Sequence, residues 1–514
     1  MLKKIRIILA TVMFIGITWL FLDFTGTAHH WFSWMPKAQL LEAILAGNVI
    51  VVVVLSALTL IFGRIYCSVI CPLGILQDIF GKFGMKAKKN RYSYSKALSW
   101  LRYTMLGVFG VGLVLSFLVG TGIVVQLLAP YAAFGRIATN LLQPVYMAGN
   151  NVLAAMAESM DSYAFYHTDI WLRSLPSLLI AAVTLIILFV LAWRNGRTYC
   201  NTICPVGTVL SFLARFSLLK VSFDKDKCRN CSLCSKNCKA SCIDFKSHTV
   251  DYSRCVVCGD CIESCKFGAL AYKPYKANKA HEPNEPHKPN KTHKPNTPAE
   301  SPESPDAGRR SFLVGAALVS TVALAQDAKK VDGGLAAIAE RVIPERQTPL
   351  TPPGSLSAQN MAHNCTGCQL CISECPNHVL RPSTDLLTMM QPTMSYERGY
   401  CRPECTRCSH VCPAGAIRSI DPIEKSSIQI GHAVWIKQNC VSVNDGVMCG
   451  NCARHCPTGA ITMVPMDKDD ADSPLVPAVN ETVCIGCGAC EHLCPGKDGQ
   501  TAIMVEGHEV HRKI

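Results

Sequence analysis

Apolar positions are distributed unevenly along this chain, and that unevenness divides it into parts. Long apolar runs occupy Ile5 to Leu22, Leu40 to Phe62, Thr104 to Leu128 and Leu175 to Trp193. Each has the length of a helix that crosses a bilayer, about 20 residues. Four spans are therefore expected. Hydrophobic residues, 49% of the chain, concentrate in the first two hundred positions, whereas most of the 29 cysteines follow residue 227. At 514 residues the chain exceeds one compact core.

Residues 273–308 carry almost no apolar side chains and many prolines, which describes a solvated, semi-extended linker. His281, His287 and His293 recur there every six residues, a spacing open in principle to metal binding but read here as part of a solvated spacer. After the linker, Arg309-Arg310-Ser-Phe-Leu313 precedes a mildly apolar run to Ala325. The pattern is that of a twin-arginine export signal inside a chain; a short buried helix is the other reading. The expected parts are a membrane unit at 1–210, a small domain at 211–272, the linker at 273–308, a signal or anchor at 309–326 and a larger domain at 350–514.

Charge refines the picture. Lys3, Lys4 and Arg6 precede or open the first run, and Arg64, Lys82, Lys86, Lys88, Lys89, Arg91, Lys96 and Arg102 follow the second. Only Lys37, then Arg136 and Arg173, fall after the first and third. By the positive-inside rule both termini of the membrane unit face the cytoplasm. This bias accounts for part of the +13 net charge without invoking nucleic acid.

An internal repeat lies in the membrane unit. Gly63-Arg-Ile-Tyr-Cys-Ser-Val-Ile-Cys-Pro-Leu-Gly74 recurs as Gly196-Arg-Thr-Tyr-Cys-Asn-Thr-Ile-Cys-Pro-Val-Gly207. If helical, Cys67 and Cys71 share a face, as do Cys200 and Cys204. A metal site, a set of redox thiols and buried small residues all remain open. Tyr66, Tyr199, Arg64 and Arg197 suit either a quinone head group or anchoring at the membrane surface.

The other cysteines fall into quartets: Cys228, Cys231, Cys234 and Cys238; Cys255, Cys258, Cys261 and Cys265; Cys365, Cys368, Cys371 and Cys375; Cys401, Cys405, Cys408 and Cys412; Cys440, Cys449, Cys452 and Cys456; Cys484, Cys487, Cys490 and Cys494. Three close thiols wrap one [4Fe-4S] cluster, while the fourth reaches to a neighbouring cluster. Six clusters are expected on paired motifs. Cys228, Cys231, Cys234 and Cys265 would hold one, and Cys255, Cys258, Cys261 and Cys238 another, with Cys242 left over as a competitor of Cys238. Spacing alone leaves open whether the first downstream quartet pairs with the second or the fourth. Structural zinc joins two short Cys pairs across a longer loop, and disulfides bridge such close neighbours badly, so both fit less well.

With four spans, two Cys-x3-Cys-Pro motifs and a two-quartet tail, residues 1 to about 272 resemble the NapH membrane ferredoxins. Residues 309–514, with Arg309-Arg310 and four quartets, resemble the exported NapG polyferredoxins. The resemblance implies a four-helix transmembrane unit fused to α+β ferredoxin-like domains, one with two clusters and one with four. It further implies a multi-pass protein of the cytoplasmic membrane, in contact with lipid and the quinone pool. Electrons from quinol would reach a periplasmic reductase, with residues 211–308 cytoplasmic and 327–514 periplasmic. No Walker loop, dinucleotide fingerprint or haem-attachment motif is present, so no catalytic side chain is assigned beyond a quinol dehydrogenase role. Copper reduction for metal assembly, or redox sensing, is the alternative.

Overall fold

The computed structural model describes residues 2–86, 92–274, 341–470, 473–497 and 499–514. From residue 275 onward the expected linker, its three histidines and the twin-arginine segment lie outside the described residues.

Three described helices have the length and composition to cross a membrane, Leu2–Leu22, Ser99–Val119 and Leu175–Asn195. The run expected as a further continuous span, Leu40 to Phe62, is two helices, Leu40–Leu45 and Val49–Phe62. Ala46-Gly47-Asn48 explains the break. Gly47 takes φ +66°, and the Asn48 side chain accepts the Val51 amide at 3.3 Å as an N-cap. The run from Thr104 to Leu128 divides in the same way. Its helix stops at Gly120 (φ +78°), and Ile123–Leu128 forms a second.

One helical stretch was not expected. Pro130–Ile137, a π turn at Ala138–Leu142 and Gln143–Glu158 follow without interruption. Pro130 opens it, and Ala132, Ala133, Gly135 and Ala138 leave room for bulky neighbours. Phe14 and Phe21 pack on Phe134 with ring centroids 5.5 and 6.3 Å away. Arg136 is fully buried in this helix and so is not the loop charge the topology count supposes.

Each copy of the repeat forms a short helix, Tyr66–Val69 or Thr198–Thr202, and then a proline-opened helix, Pro72–Lys86 or Pro205–Ala214. Cys71 and Cys204 therefore sit in the turn between two helices rather than on one continuous helical face. The second of these helices runs past the expected boundary at 210, and the following domain starts with the strand Leu219–Phe223.

That strand pairs antiparallel with Leu270–Pro274, and Ile243–Asp244 pairs with Thr249–Val250. Downstream, Leu380–Pro382 pairs with Pro392–Met394, Ile428–Trp435 with Ile503–Lys513, and Ile461–Pro465 with Leu475–Val479. Both cysteine-rich domains pack on the helices, at opposite ends of Leu2–Leu22. Lys3 pairs with Asp260 and Glu263 at one end. At the other, Arg407 Nη2 donates to the Thr25 carbonyl at 3.3 Å. A helix of 21 residues separates the two contacts by about 31 Å.

Candidate iron–sulfur sites

A local backbone device recurs in the quartets. The residue after the second cysteine is left-handed at Ser232, Gly259, Gln369, Gly450 and Gly488, with φ between 58° and 88°. It caps a short helix that carries the third cysteine, so the chain folds back over one point. In Cys228–Cys231, Cys255–Cys258, Cys365–Cys368 and Cys484–Cys487, the residue before the second cysteine is left-handed as well. Ser232 and Gln369 hold this conformation without glycine's freedom, a cost that a bound group can offset.

Through space the quartets combine in pairs. Cys228, Cys231, Cys234 and Cys265 line one cavity, and Cys238, Cys255, Cys258 and Cys261 line another. Downstream, the first quartet pairs with the second. Cys365, Cys368, Cys371 and Cys412 stand close enough for every pair to interact electrostatically, as do Cys401, Cys405, Cys408 and Cys375. The third pairs with the fourth: Cys484, Cys487, Cys490 and Cys456 surround one cavity, and Cys440, Cys449, Cys452 and Cys494 another. Despite its long spacer, Cys440 reaches its cavity. The Cys401 amide donates to the Cys487 carbonyl at 2.9 Å, so the second and third of these sets adjoin. The four downstream sets form a row.

The donor chemistry fits [4Fe-4S] clusters. Each set offers four thiols, and backbone amides point at sulfur: Ala269 to Cys265 at 3.3 Å, Ile417 to Cys412 at 3.4 Å, Ala460 to Cys456 and Ala502 to Cys494 at 3.2 Å. Such N–H···S bonds stabilise thiolate charge and tune potential. Cys242, also fully buried, lies 3.5 Å from Cys238 on the wall of the second cavity. Cys238 interacts with Cys255, Cys258 and Cys261 alike, the relation a fourth ligand requires.

The membrane repeats interlock reciprocally. Arg64 of the first copy donates to the Cys200 carbonyl at 3.1 Å, and Arg197 of the second donates to the Cys67 carbonyl at 2.5 Å. Arg64 also reaches Asn201 Oδ1 at 2.8 Å and the Ser253 carbonyl at 3.0 Å. Both arginines are fully buried, which ties them to protein rather than to an incoming head group. Tyr66 is engaged too, donating to Gln39 Oε1 at 2.9 Å. Asp78 gathers Arg197 at 2.6 Å, Lys239 at 2.7 Å and Arg6 at 3.2 Å. Burial pushes its carboxyl up, but Arg197 and Lys239 more than offset this and hold it well below the usual carboxylate range.

Sequence reasoning missed the residues between the repeats and the first downstream set. Arg136 donates to the Gln126 carbonyl at 2.9 Å and to the Gly367 carbonyl at 3.5 Å. Asn140, in the π turn, donates to Gln369 Oε1 at 2.7 Å, and Gln369 donates to Ser177 at 2.6 Å. These contacts seat the Cys365–Cys371 loop on the helices. The unusual combination of Arg and Asn within an apolar, alanine-rich stretch is the signal that could have found them.

Known proteins resemble parts of this chain in sequence. Residues 45–90 and 175–224 match a family of 4Fe-4S binding domains, 447–497 a 4Fe-4S dicluster domain, and 248–271 a further 4Fe-4S binding domain. The ferredoxin-type protein NapG of Escherichia coli (strain K12) is 31% identical over 206 residues, 37% of this chain and 82% of NapG. The methylamine utilization ferredoxin-type protein MauM of Paracoccus denitrificans is 30% identical over 166 residues, 31% of this chain and 73% of MauM. The putative electron transport protein YccM of E. coli is 24% identical over 244 residues, covering 45% of this chain and 60% of YccM. No solved structure matches.

Proposed function

The chain belongs to the NapG-like family of ferredoxin-type iron–sulfur electron-transfer proteins, and from that premise we propose a membrane conduit that takes electrons from quinol and delivers them to a periplasmic reductase. The observation that carries this reading is the pair of cysteine-rich domains at the two ends of the Leu2–Leu22 helix. When bound, [4Fe-4S] clusters supply reversible one-electron redox centres. The chain's own residues hold six of them, shield them from water and donate N–H groups to their sulfurs.

A cavity with mixed polar and apolar walls is the candidate quinol site. Leu98, just before the Ser99–Val119 helix, and Arg194, at the end of Leu175–Asn195, both line it. Lys96, Asn201 and Thr202 add polar groups, and Ser241, between Cys238 and Cys242, forms part of the wall. Lys96 and Arg194 would orient the quinol oxygens, and oxidation to quinone releases two electrons and two protons.

In this reading the chain crosses sides between Pro274, which ends a strand of the first domain, and Val342, whose amide donates to Gly499 of the second at 3.0 Å. Arg309 and Arg310 fall in that interval, where an export signal would be needed.

Anaerobic membrane vesicles treated with duroquinol test the reading. Bleaching of the iron–sulfur absorbance is expected, and Lys96→Ala with Arg194→Ala should slow it about tenfold. No bleaching of a protein fully loaded with clusters would refute it.

A further inference from the structure

We propose that Cys67, Cys71, Cys200 and Cys204 jointly ligate one more iron–sulfur cluster, built by the two membrane repeats and additional to the six quartets. The first ground is geometric. All four thiols are buried, Arg64 Nη2 reaches the Cys67 sulfur at 3.7 Å and the Cys200 carbonyl at 3.1 Å at once, and Arg197 returns the contact to the Cys67 carbonyl at 2.5 Å, so the two copies of the motif face each other. No single-ion site is found here, but neither is one found among the quartets, because a cluster spreads its ligands more widely than one ion does.

Charge is the second ground. Arg64 is fully buried, and its partners are Asn201, two backbone carbonyls and the Cys67 sulfur at 3.7 Å, none of them a carboxylate. Asp78 is already shared by three cations. Among the described residues, Arg64 Nε and Arg197 Nη2 are buried without partners. An unbalanced buried guanidinium is costly. Four thiolates around an iron–sulfur core carry net negative charge at this position and offset it.

The sulfur environment is the third ground. Gly207 donates its amide to Cys204 at 3.4 Å, Gly74 does the same for Cys71 in the other copy, and Gln77 Nε2 donates to Cys200 at 3.2 Å. Finally, the two stretches that match a 4Fe-4S binding domain, 45–90 and 175–224, hold only two cysteines each. A four-thiolate cluster needs both copies.

The position suits a relay. Arg64 links Cys67 to the Ser253 carbonyl, two residues before Cys255, while Arg136 interacts with both Tyr199 and Cys368. That role rests on the conduit reading; the cluster itself does not.

Iron and acid-labile sulfide are counted per chain after anaerobic purification. The six quartets account for about 24 of each, and an excess of about four, or about two for a smaller cluster, is expected. Cys67→Ser with Cys200→Ser should remove that excess and one paramagnetic signal of the reduced protein, leaving the ferredoxin signals. Since this variant can misfold, the wild-type count decides alone: iron and sulfide at the six-quartet level overturn the proposal. Excess iron that persists in a folded double variant overturns it too. If the excess is present and lost on substitution, yet duroquinol bleaches nothing, the cluster stands and the quinol reading falls.

Discussion

Gly74 and Gly207 are positions where one added methyl group would disturb both repeats at once. A Cβ at Gly74 would collide with the Cys67 carbonyl and Arg197, and one at Gly207 with the Cys200 carbonyl and Arg64. Gly74→Ala should cost about 3 kcal/mol or more, read as a lowered denaturation midpoint in detergent. Asp78→Asn strands Arg6 and Arg197 in low dielectric, while Lys239 keeps Asp260 at 3.3 Å, and should cost about 3–5 kcal/mol. Cys242→Ser, by contrast, should leave iron content unchanged, since Cys238 supplies the fourth contact to its set. A pH effect belongs to His511, whose ring meets Thr351 Oγ1 at 2.9 Å. Burial, with a smaller contribution from His508, pushes it down to about 4. The unfolded chain therefore takes up this proton first, near its ordinary value of about 6.5. Stability from this group is intact above that value and falls as pH drops toward 4. His511→Gln should flatten the slope in thermal denaturation between those limits. The cysteine quartets are legible in sequence because each motif is local. The reciprocal Arg64 and Arg197 contacts are not, since they join residues far apart in the chain.

Among elements, the tight loops of the cysteine motifs have the least tolerance. Gly488 has φ +79°, and a Cβ there would strike the Tyr396 ring. Gly488→Ala should empty the set formed by Cys484, Cys487, Cys490 and Cys456, lowering iron by about four atoms per chain. Hydropathy reveals where apolar helices run but not where they stop. Gly47 with Asn48, and Gly120, interrupt runs that look continuous because neither glycine nor one asparagine shifts an average over twenty residues. The Pro130–Glu158 stretch escapes notice for the opposite reason: its small residues are only mildly apolar, yet packing against Phe14 and Phe21 buries its first half. The pairing of downstream quartets is invisible in sequence, because nearly identical spacings give each motif the same local geometry.

For the whole molecule, the row of four downstream sets begins where Gly367 and Gln369 meet Arg136 and Asn140, and ends at the set containing Cys440, Cys449, Cys452 and Cys494. Exposed Val447 and Met448 flank the last of these. Lysine and arginine bias already hints at two faces, but only the contacts at either end of Leu2–Leu22 reveal which domain meets which end. Electrons passed along such a row cross each set in turn. Breaking its outermost member with Cys449→Ala and Cys452→Ala should leave duroquinol bleaching nearly intact while turnover to an acceptor falls about tenfold or more. Oxidative damage at that exposed tip would then do more than subtract one carrier. It would leave a charged dead end, filled from the membrane and unable to discharge.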